Sequence, residues 1–171
     1  MESEYIGNFE FVGTIDSSPY LCIPKALEWR KELGGERAIM EYCTKLAQDA
    51  AQLVAGALGT EVMDNKTKTL SQCCMAMVRL PIDVNKAQQI GEKAGVGKEG
   101  FGKEVTIWLH RKMLDDYNTF LQTLFYGGEW WARLSAQVYL ELDDFEGAVP
   151  GLKELCERAN KGEWTEIVKK A

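Results

Sequence analysis

A long stretch of helical periodicity between residues 36 and 58 constrains the fold more than any other feature of the sequence. Apolar side chains recur there at steps of three and four residues: Ile39, Tyr42, Cys43, Leu46, Ala50, Leu53, Val54 and Leu58. Gly59 follows them, and glycine commonly ends a helix. The pattern predicts an amphipathic helix of about 35 Å at a rise of 1.5 Å per residue, which is long enough to cross a whole domain.

The segments after this helix alternate between strand and helix patterns. The run QCCMAMVRLP predicts a buried strand that ends before Pro81, and residues 105–117 predict an amphipathic helix. TFLQTLFY and EWWARLSAQVY flank Gly127-Gly128, a strong hairpin signal. A last helix begins near Asp143 and Asp144, which we expect to cap it. The prediction is an α+β fold in which helices cover a three-stranded antiparallel sheet, preceded by the long connecting helix.

Composition excludes several classes of function. The 171 residues carry a net charge of −6, which argues against a dedicated nucleic-acid binder or a polybasic membrane surface. No apolar run approaches a membrane span, and the acidic N-terminal sequence is not typical of a secretory signal. Five cysteines without framework spacing predict reduced thiols in a cytoplasmic protein. With one histidine, His110, we predict no metal site.

Three stretches, taken in order, resemble the C-terminal part of the class V aminotransferase family, which are fold type I pyridoxal-phosphate (PLP) enzymes. The first is FVGTIDSSPYLCIPKALEWRKELGG, which resembles the family's Gly-Thr-x-Asp turn and the helix after it. The second is MVRLP, which is similar to the first small-domain strand of the isopenicillin N epimerase-like branch. The third is EWWARLSAQVYLELDDFE, which resembles the Arg-x-Ser strand and the start of the last helix. The resemblance implies three parts: a large-domain remnant at 1–35, the connecting helix at 36–59 and a small domain at 60–171.

The resemblance implies a role for three residues. Thr14, with Gly13 beside it, matches the threonine that binds the PLP phosphate of a neighbouring subunit. Arg133 matches the arginine that holds the substrate α-carboxylate, since its planar guanidinium can donate two parallel hydrogen bonds. Without the resemblance, Thr14 is an ordinary turn cap and Arg133 an ion-pairing surface residue. We interpret Asp16 as a residue that stabilises the turn.

The resemblance also implies what this chain lacks. The Schiff-base lysine of the family lies before the Gly-Thr-x-Asp turn, but the first lysine here is Lys25. No catalytic residue is therefore assigned, and the chain alone should not run the family's chemistry. Three hypotheses remain open, one of which is an unrelated α+β binding module that shares the pattern. The chain is part of a PLP-dependent enzyme that acts on an amino acid or a sulfur-containing derivative by aminotransfer, epimerisation or carbon–sulfur lysis. Alternatively, it is a non-catalytic interaction protein that pairs with a full-length relative; either implies a homo- or heterodimer.

Four further expectations concern packing. We expect the long helix to expose its apolar stripe, because its usual cover would be the missing large domain. We expect Cys73 and Cys74 to be buried strand residues. We expect one ring of Trp130-Trp131 in the core, and both Trp131 and Leu134 on the face opposite Arg133. His110 should be solvated or partly packed, not a catalytic base.

Overall fold

The computed structural model describes residue 13 and residues 16–168, the last two by their backbone only. Within these residues the elements follow in the order α1 (Ser18–Leu21), α2 (Ile23–Glu32), α3 (Gly35–Leu58), β1 (Met75–Arg79), α4 (Val84–Lys93), α5 (Phe101–Tyr117), β2 (Gln122–Tyr126), β3 (Glu129–Ser135), α6 (Leu142–Lys161) and α7 (Thr165–Val168). The chain divides into two compact units, residues 1–39 and 40–171. The division falls inside α3.

The first unit contains α1 and α2, separated by a turn at Cys22. Pro19 and Pro24 each occupy a first-turn position, where the missing N–H breaks no helical hydrogen bond. Neither helix has a buried residue. Their exposed large apolar side chains are Tyr20, Leu21, Ile23, Leu27, Trp29 and Leu33.

The second unit is built on a three-stranded antiparallel sheet with the order β1-β3-β2, so β3 is the central strand. Gly127 and Gly128, both with positive φ, join β2 to β3 in a two-residue turn. That backbone suits the right-handed twist of a hairpin. The predicted α+β fold with a three-stranded antiparallel sheet is confirmed.

One face of the sheet forms the core. Val78, Thr123, Trp130, Ala132 and Leu134 are buried on this face, which α5 covers. The indole N–H of Trp130 donates to the carbonyl of Gly102 on α5 at 3.2 Å, so the helix lies very close to the sheet. The opposite face carries side chains that are exposed or half-buried: Met75, Met77, Arg79, Gln122, Leu124, Tyr126, Trp131, Arg133 and Ser135.

The expectation that the long helix exposes its apolar stripe is wrong. The stripe predicted to be exposed on α3 is buried in the second unit from Cys43 onward, since Cys43, Leu46, Ala50 and Val54 are all less than 9% exposed. Small residues, Ala47, Ala51 and Ala55, fill the rest of that face. Because alanines allow close packing, this face of the helix is buried by other parts of the chain instead of being exposed. The predicted three-part division at 1–35, 36–59 and 60–171 stays a prediction.

The last helix runs through Pro150 without a break. Its N-cap is Glu141, whose side chain accepts from the backbone of Asp144 while Asp144 accepts from the N–H of Glu141, a reciprocal capping box. Asp144 therefore acts in the cap, as predicted, whereas Asp143 lies in the first turn. No helix in the described ranges has the length and apolar character needed to cross a bilayer.

Candidate functional site

Arg133 lies on the central strand of the sheet, on the face opposite the one that α5 covers. Its cross-strand neighbours are Met77 on β1 and Gln122 on β2, and Ser135 follows it on the same face. The backbone of a central strand is hydrogen-bonded on both sides, so the point from which the Arg133 side chain projects is well defined.

Trp131 also lies on the Arg133 face, which corrects a second expectation. Residues two apart on a strand share a face. Trp131 is therefore half-buried beside Arg133, while Trp130 and Leu134 point into the core. The prediction for Leu134 and for one buried tryptophan ring is confirmed, and the prediction for Trp131 is wrong.

The guanidinium of Arg133 is exposed and makes no hydrogen bond or ion pair with any residue that the structure describes. It lines a groove of about 500 Å³, together with Gln122 and Ser135 from the sheet and Asp144 from α6. Thr119 and five apolar side chains complete the lining: Phe120, Leu121, Leu140, Phe145 and Ala148. An unpaired arginine at one place in a mostly apolar groove is suited to grip a carboxylate.

Two other arginines, Arg158 and Arg79, form ion pairs with acidic side chains and so differ from Arg133. Arg158 donates to Glu163 at 2.6 and 2.7 Å and to Asp116 at 2.8 Å, and it lies over the Trp108 ring. These hydrogen bonds hold the pKa of Glu163 below its usual range. Arg79, on the same sheet face as Arg133, is ion-paired with Glu61 and Glu129. Arg133 differs from both because it lacks such partners among the described residues.

The Gly-Thr-x-Asp turn is described only in part. Thr14 lies outside the described residues, so its predicted role stays a prediction. Gly13 has a φ of 66°, in the left-handed region that glycine adopts without strain. Asp16 accepts from the backbone N–H and the hydroxyl of Ser18 at 2.9 and 2.6 Å, which lower its pKa. Asp16 thus stabilises the start of α1, and its predicted role in the Gly-Thr-x-Asp turn stays a prediction.

His110 is half-buried on α5 and takes part in positioning β2. Its Nε2 accepts the backbone N–H of Thr123 at 3.0 Å, and its ring contacts Phe120. Burial lowers the pKa of His110. The histidine is partly packed, as predicted, and it fixes the segment that carries one wall of the Arg133 groove.

The expectation that Cys73 and Cys74 are buried strand residues is wrong. Cys73 is exposed and Cys74 is half-buried, and both precede β1 instead of lying within it. The thiol of Cys73 donates to the carbonyl of Met75 at 3.2 Å, a local contact that turns the chain before the strand. Cys156 is buried, and this raises the pKa of its thiol to about 12. Within the described residues, no three His, Cys, Asp or Glu side chains group as metal ligands would.

The residues at this groove do not fit a complete PLP site. Schiff-base formation requires a lysine, and none of the residues that line the groove is a lysine. The donors that are present, a guanidinium with nearby amide and hydroxyl groups, fit a carboxylate instead. Sequence reasoning found Arg133 but missed Gln122, although pairing strands outward from Gly127-Gly128 aligns position 122 with position 133.

No family model matches the chain. Three curated proteins are similar to it, and the chain spans about a third of their length. The L-cysteine desulfhydrase-like proteins lolT1 and lolT2 of Epichloe uncinata are each 36% identical over 159 residues, 87% of this chain and 35% and 34% of theirs. The hercynylcysteine sulfoxide lyase of Schizosaccharomyces pombe is 26% identical over 141 residues, 82% of this chain and 30% of its own length.

Proposed function

We propose that this chain is the substrate-carboxylate-binding, C-terminal part of a PLP-dependent carbon–sulfur lyase-like enzyme of the class V aminotransferase family. The observation that carries the proposal is Arg133, exposed on a central strand, unpaired among the described residues and placed in a groove. The names of the similar proteins, cysteine desulfhydrase-like and sulfoxide lyase, support a sulfur-containing amino acid as the substrate class. The resemblance of the motifs supports the class V assignment.

The task of this chain in that enzyme is binding and orientation. Arg133 would hold the α-carboxylate through two parallel N–H···O bonds, which fixes both the position and the rotation of the substrate. Gln122 and Ser135 lie next to it and can satisfy the remaining carboxylate lone pairs. Bound substrate would cover Arg133 against the apolar wall, which would shield these bonds from water and strengthen them. PLP would supply the electron sink from a site on the rest of the enzyme.

Reconstitution tests the proposal. This chain would be co-expressed with the part of an L-cysteine desulfhydrase-like relative that it does not match, and cleavage of a carbon–sulfur bond in cysteine derivatives would be followed. We expect activity only when both pieces and PLP are present. A stable complex of both pieces without such activity would contradict the proposal.

A second candidate is a non-catalytic partner of a full-length relative. The observation that favours it is the row of exposed apolar side chains on α1 and α2, where neither helix buries a residue. Such surfaces often mark a protein–protein contact. Co-purification with a full-length relative whose own activity does not depend on Arg133 would favour this candidate.

A further inference from the structure

His110 holds the segment that forms one wall of the Arg133 groove. Four consecutive residues, 119–122, line the groove, and Thr123 follows them as a fully buried residue of β2. β2 is an edge strand of the sheet, so an N–H on its outer side needs an acceptor from elsewhere. For Thr123 this acceptor is Nε2 of His110, at 3.0 Å, and the ring of His110 also contacts Phe120.

Only one residue separates this hydrogen bond from the site itself. Gln122 precedes Thr123, and its side-chain amide donates to the Thr123 carbonyl at 3.1 Å. The same Gln122 is the cross-strand partner of Arg133. A displacement of Thr123 would therefore move both the backbone and the side chain of Gln122, which the proposed function places next to the substrate carboxylate.

The bond to His110 is the contact between this segment and α5 that responds to pH. The N–H of Thr119 donates to the Met113 carbonyl at 3.1 Å and the N–H of Leu121 to its Sδ at 3.3 Å, and neither acceptor titrates. Nε2 of His110 accepts only while it carries no proton, because a protonated imidazole has two N–H donors and no acceptor. Protonation would point two N–H groups at each other and leave the buried Thr123 N–H without a partner, so the contact would open.

Burial, and not a neighbouring charge, lowers the pKa of His110. The residues of α5 one turn away on the same side are uncharged, and β2 with the segment before it carries one ionisable group, Tyr126 at the far end. α5 forms its ion pairs with Arg158 and Glu163 at positions 112 and 116, about 120–160° around the helix from His110, and α4 packs at Phe101, nine residues earlier. No described carboxylate is therefore placed to hold a protonated His110.

We propose that His110 is a positioning residue for carboxylate binding at Arg133: its neutral ring holds the segment 119–123 in place, and its protonation releases this wall of the groove and weakens binding. The inference rests on the proposed carboxylate role of Arg133 and adds the group that controls it. Binding is strongest at neutral pH and declines as the pH falls through the pKa of His110, which lies below its usual range.

The affinity of the purified chain for S-methyl-L-cysteine, measured by heteronuclear NMR titration at pH 7 and pH 5, tests the proposal. The carboxylate of this probe stays ionised at both pH values. We expect the affinity to be about threefold lower at pH 5, in proportion to the neutral fraction of His110. Because the chain has one histidine, its ring signals report the protonation of His110 directly, and the change in affinity should follow that titration.

Two variants separate the hydrogen bond from the bulk of the ring. His110→Ala removes the acceptor at every pH and should weaken binding about tenfold at both pH values. His110→Gln is the conservative variant, since its amide oxygen can accept the Thr123 N–H and does not titrate. It should restore the binding that His110→Ala loses, without the pH dependence. Asp144, the ionisable carboxyl group of the groove, is present in both variants, and its protonation would favour a carboxylate ligand, the opposite of the expected change.

The ring titration of His110 in the presence of the probe distinguishes positioning from simple electrostatics. If protonation weakens binding, then by linkage the bound probe must oppose protonation and lower the midpoint of the titration. A carboxylate that acted only through its charge would favour the protonated ring and raise the midpoint. We expect a saturating concentration of the probe to lower the midpoint by about one pH unit, the equivalent of the tenfold loss in His110→Ala.

An affinity that stays constant while the ring titrates, a pH dependence that persists in His110→Gln, or a midpoint that the probe raises or leaves unchanged would overturn the proposal. Arg133→Lys at pH 7 tests the proposed function separately and should weaken binding about tenfold. If the unchanged chain does not bind the probe, or Arg133→Lys binds it equally well, the carboxylate role and this inference both fail. If Arg133→Lys weakens binding while His110→Ala does not, the carboxylate role stands and the inference about His110 is wrong.

Discussion

Substitution of Gly102 by alanine should loosen the helix that supports the sheet. Gly102 is in the first turn of α5, and a Cβ atom there would lie 2.5 Å from Cδ1 and 2.7 Å from Cγ of Phe125. The ring of Phe125 cannot move away easily, since its centroid is 5.4 Å from the ring of Phe101 and 4.6 Å from that of Trp130. The helix must therefore shift outward from β2.

The expected decrease in the free energy of unfolding is the net result of three effects. Alanine in place of glycine favours a helix by up to about 1 kcal/mol, and by less in the first turn. Forcing an extra methyl group into a packed core costs about 1–3 kcal/mol. An outward shift also lengthens the hydrogen bond from Trp130 to the Gly102 carbonyl, which is worth about 1 kcal/mol. We expect Gly102→Ala to lower the free energy of unfolding by about 1–2 kcal/mol.

Urea unfolding followed by tryptophan fluorescence measures this loss. Gly56→Ala is the control, because its Cβ atom meets open space, and it should raise the free energy of unfolding by about 0.5–1 kcal/mol. The melting temperatures should move in opposite directions, by about 2–4 °C per kcal/mol for a chain of this size. A Gly102→Ala variant as stable as the Gly56→Ala variant would refute the close packing of α5 against β2.

Three other predictions concern pH, association and the cofactor. Because folding lowers the pKa of His110, the contribution of the neutral histidine to stability is complete above about pH 6.5 and is lost as the pH falls through the lowered pKa. The free energy of unfolding should therefore decrease less between pH 7 and pH 5 in His110→Gln than in the unchanged chain. Trp29→Lys on the exposed α2 surface should reduce self-association severalfold in sedimentation velocity with unchanged unfolding, and equal association of both chains would exclude this surface. Thr14→Val, in a mixed dimer with a full-length relative, should weaken PLP retention about tenfold to a hundredfold and leave the folding of this chain unchanged, whereas the reverse result would make Thr14 a turn cap.

The sequence predicted those parts of the fold that depend on local pattern. The periodicity at 36–58 predicted α3, and the pair Gly127-Gly128 predicted the hairpin, because both signals depend only on residues that are close in the sequence. It did not predict what covers α3, since burial of the stripe depends on contacts between residues far apart in the chain. Cys73 was misassigned for a similar reason: an apolar run does not show at which residue strand pairing starts.

From the sequence, only the charged residue of the candidate site, Arg133, could be predicted. Arg133 was identified from its sequence motif. The groove that it lines is formed by the segment after α5, the sheet and α6, which are far apart in the sequence. Gly151 carries no chemical signal in the sequence. Its close packing against the ring of Tyr117 is visible only when α5 and α6 are placed together.

The Michaelis constant of the reconstituted enzyme tests the role of Arg133 most directly. Arg133→Lys keeps the positive charge but loses the paired hydrogen bonds, so the Michaelis constant for a cysteine derivative should rise about tenfold to a hundredfold, or about 1.4–2.8 kcal/mol. Arg79→Lys, on the same face of the sheet but ion-paired with Glu61 and Glu129, should leave it unchanged. An Arg133→Lys enzyme with an unaltered Michaelis constant would contradict the account.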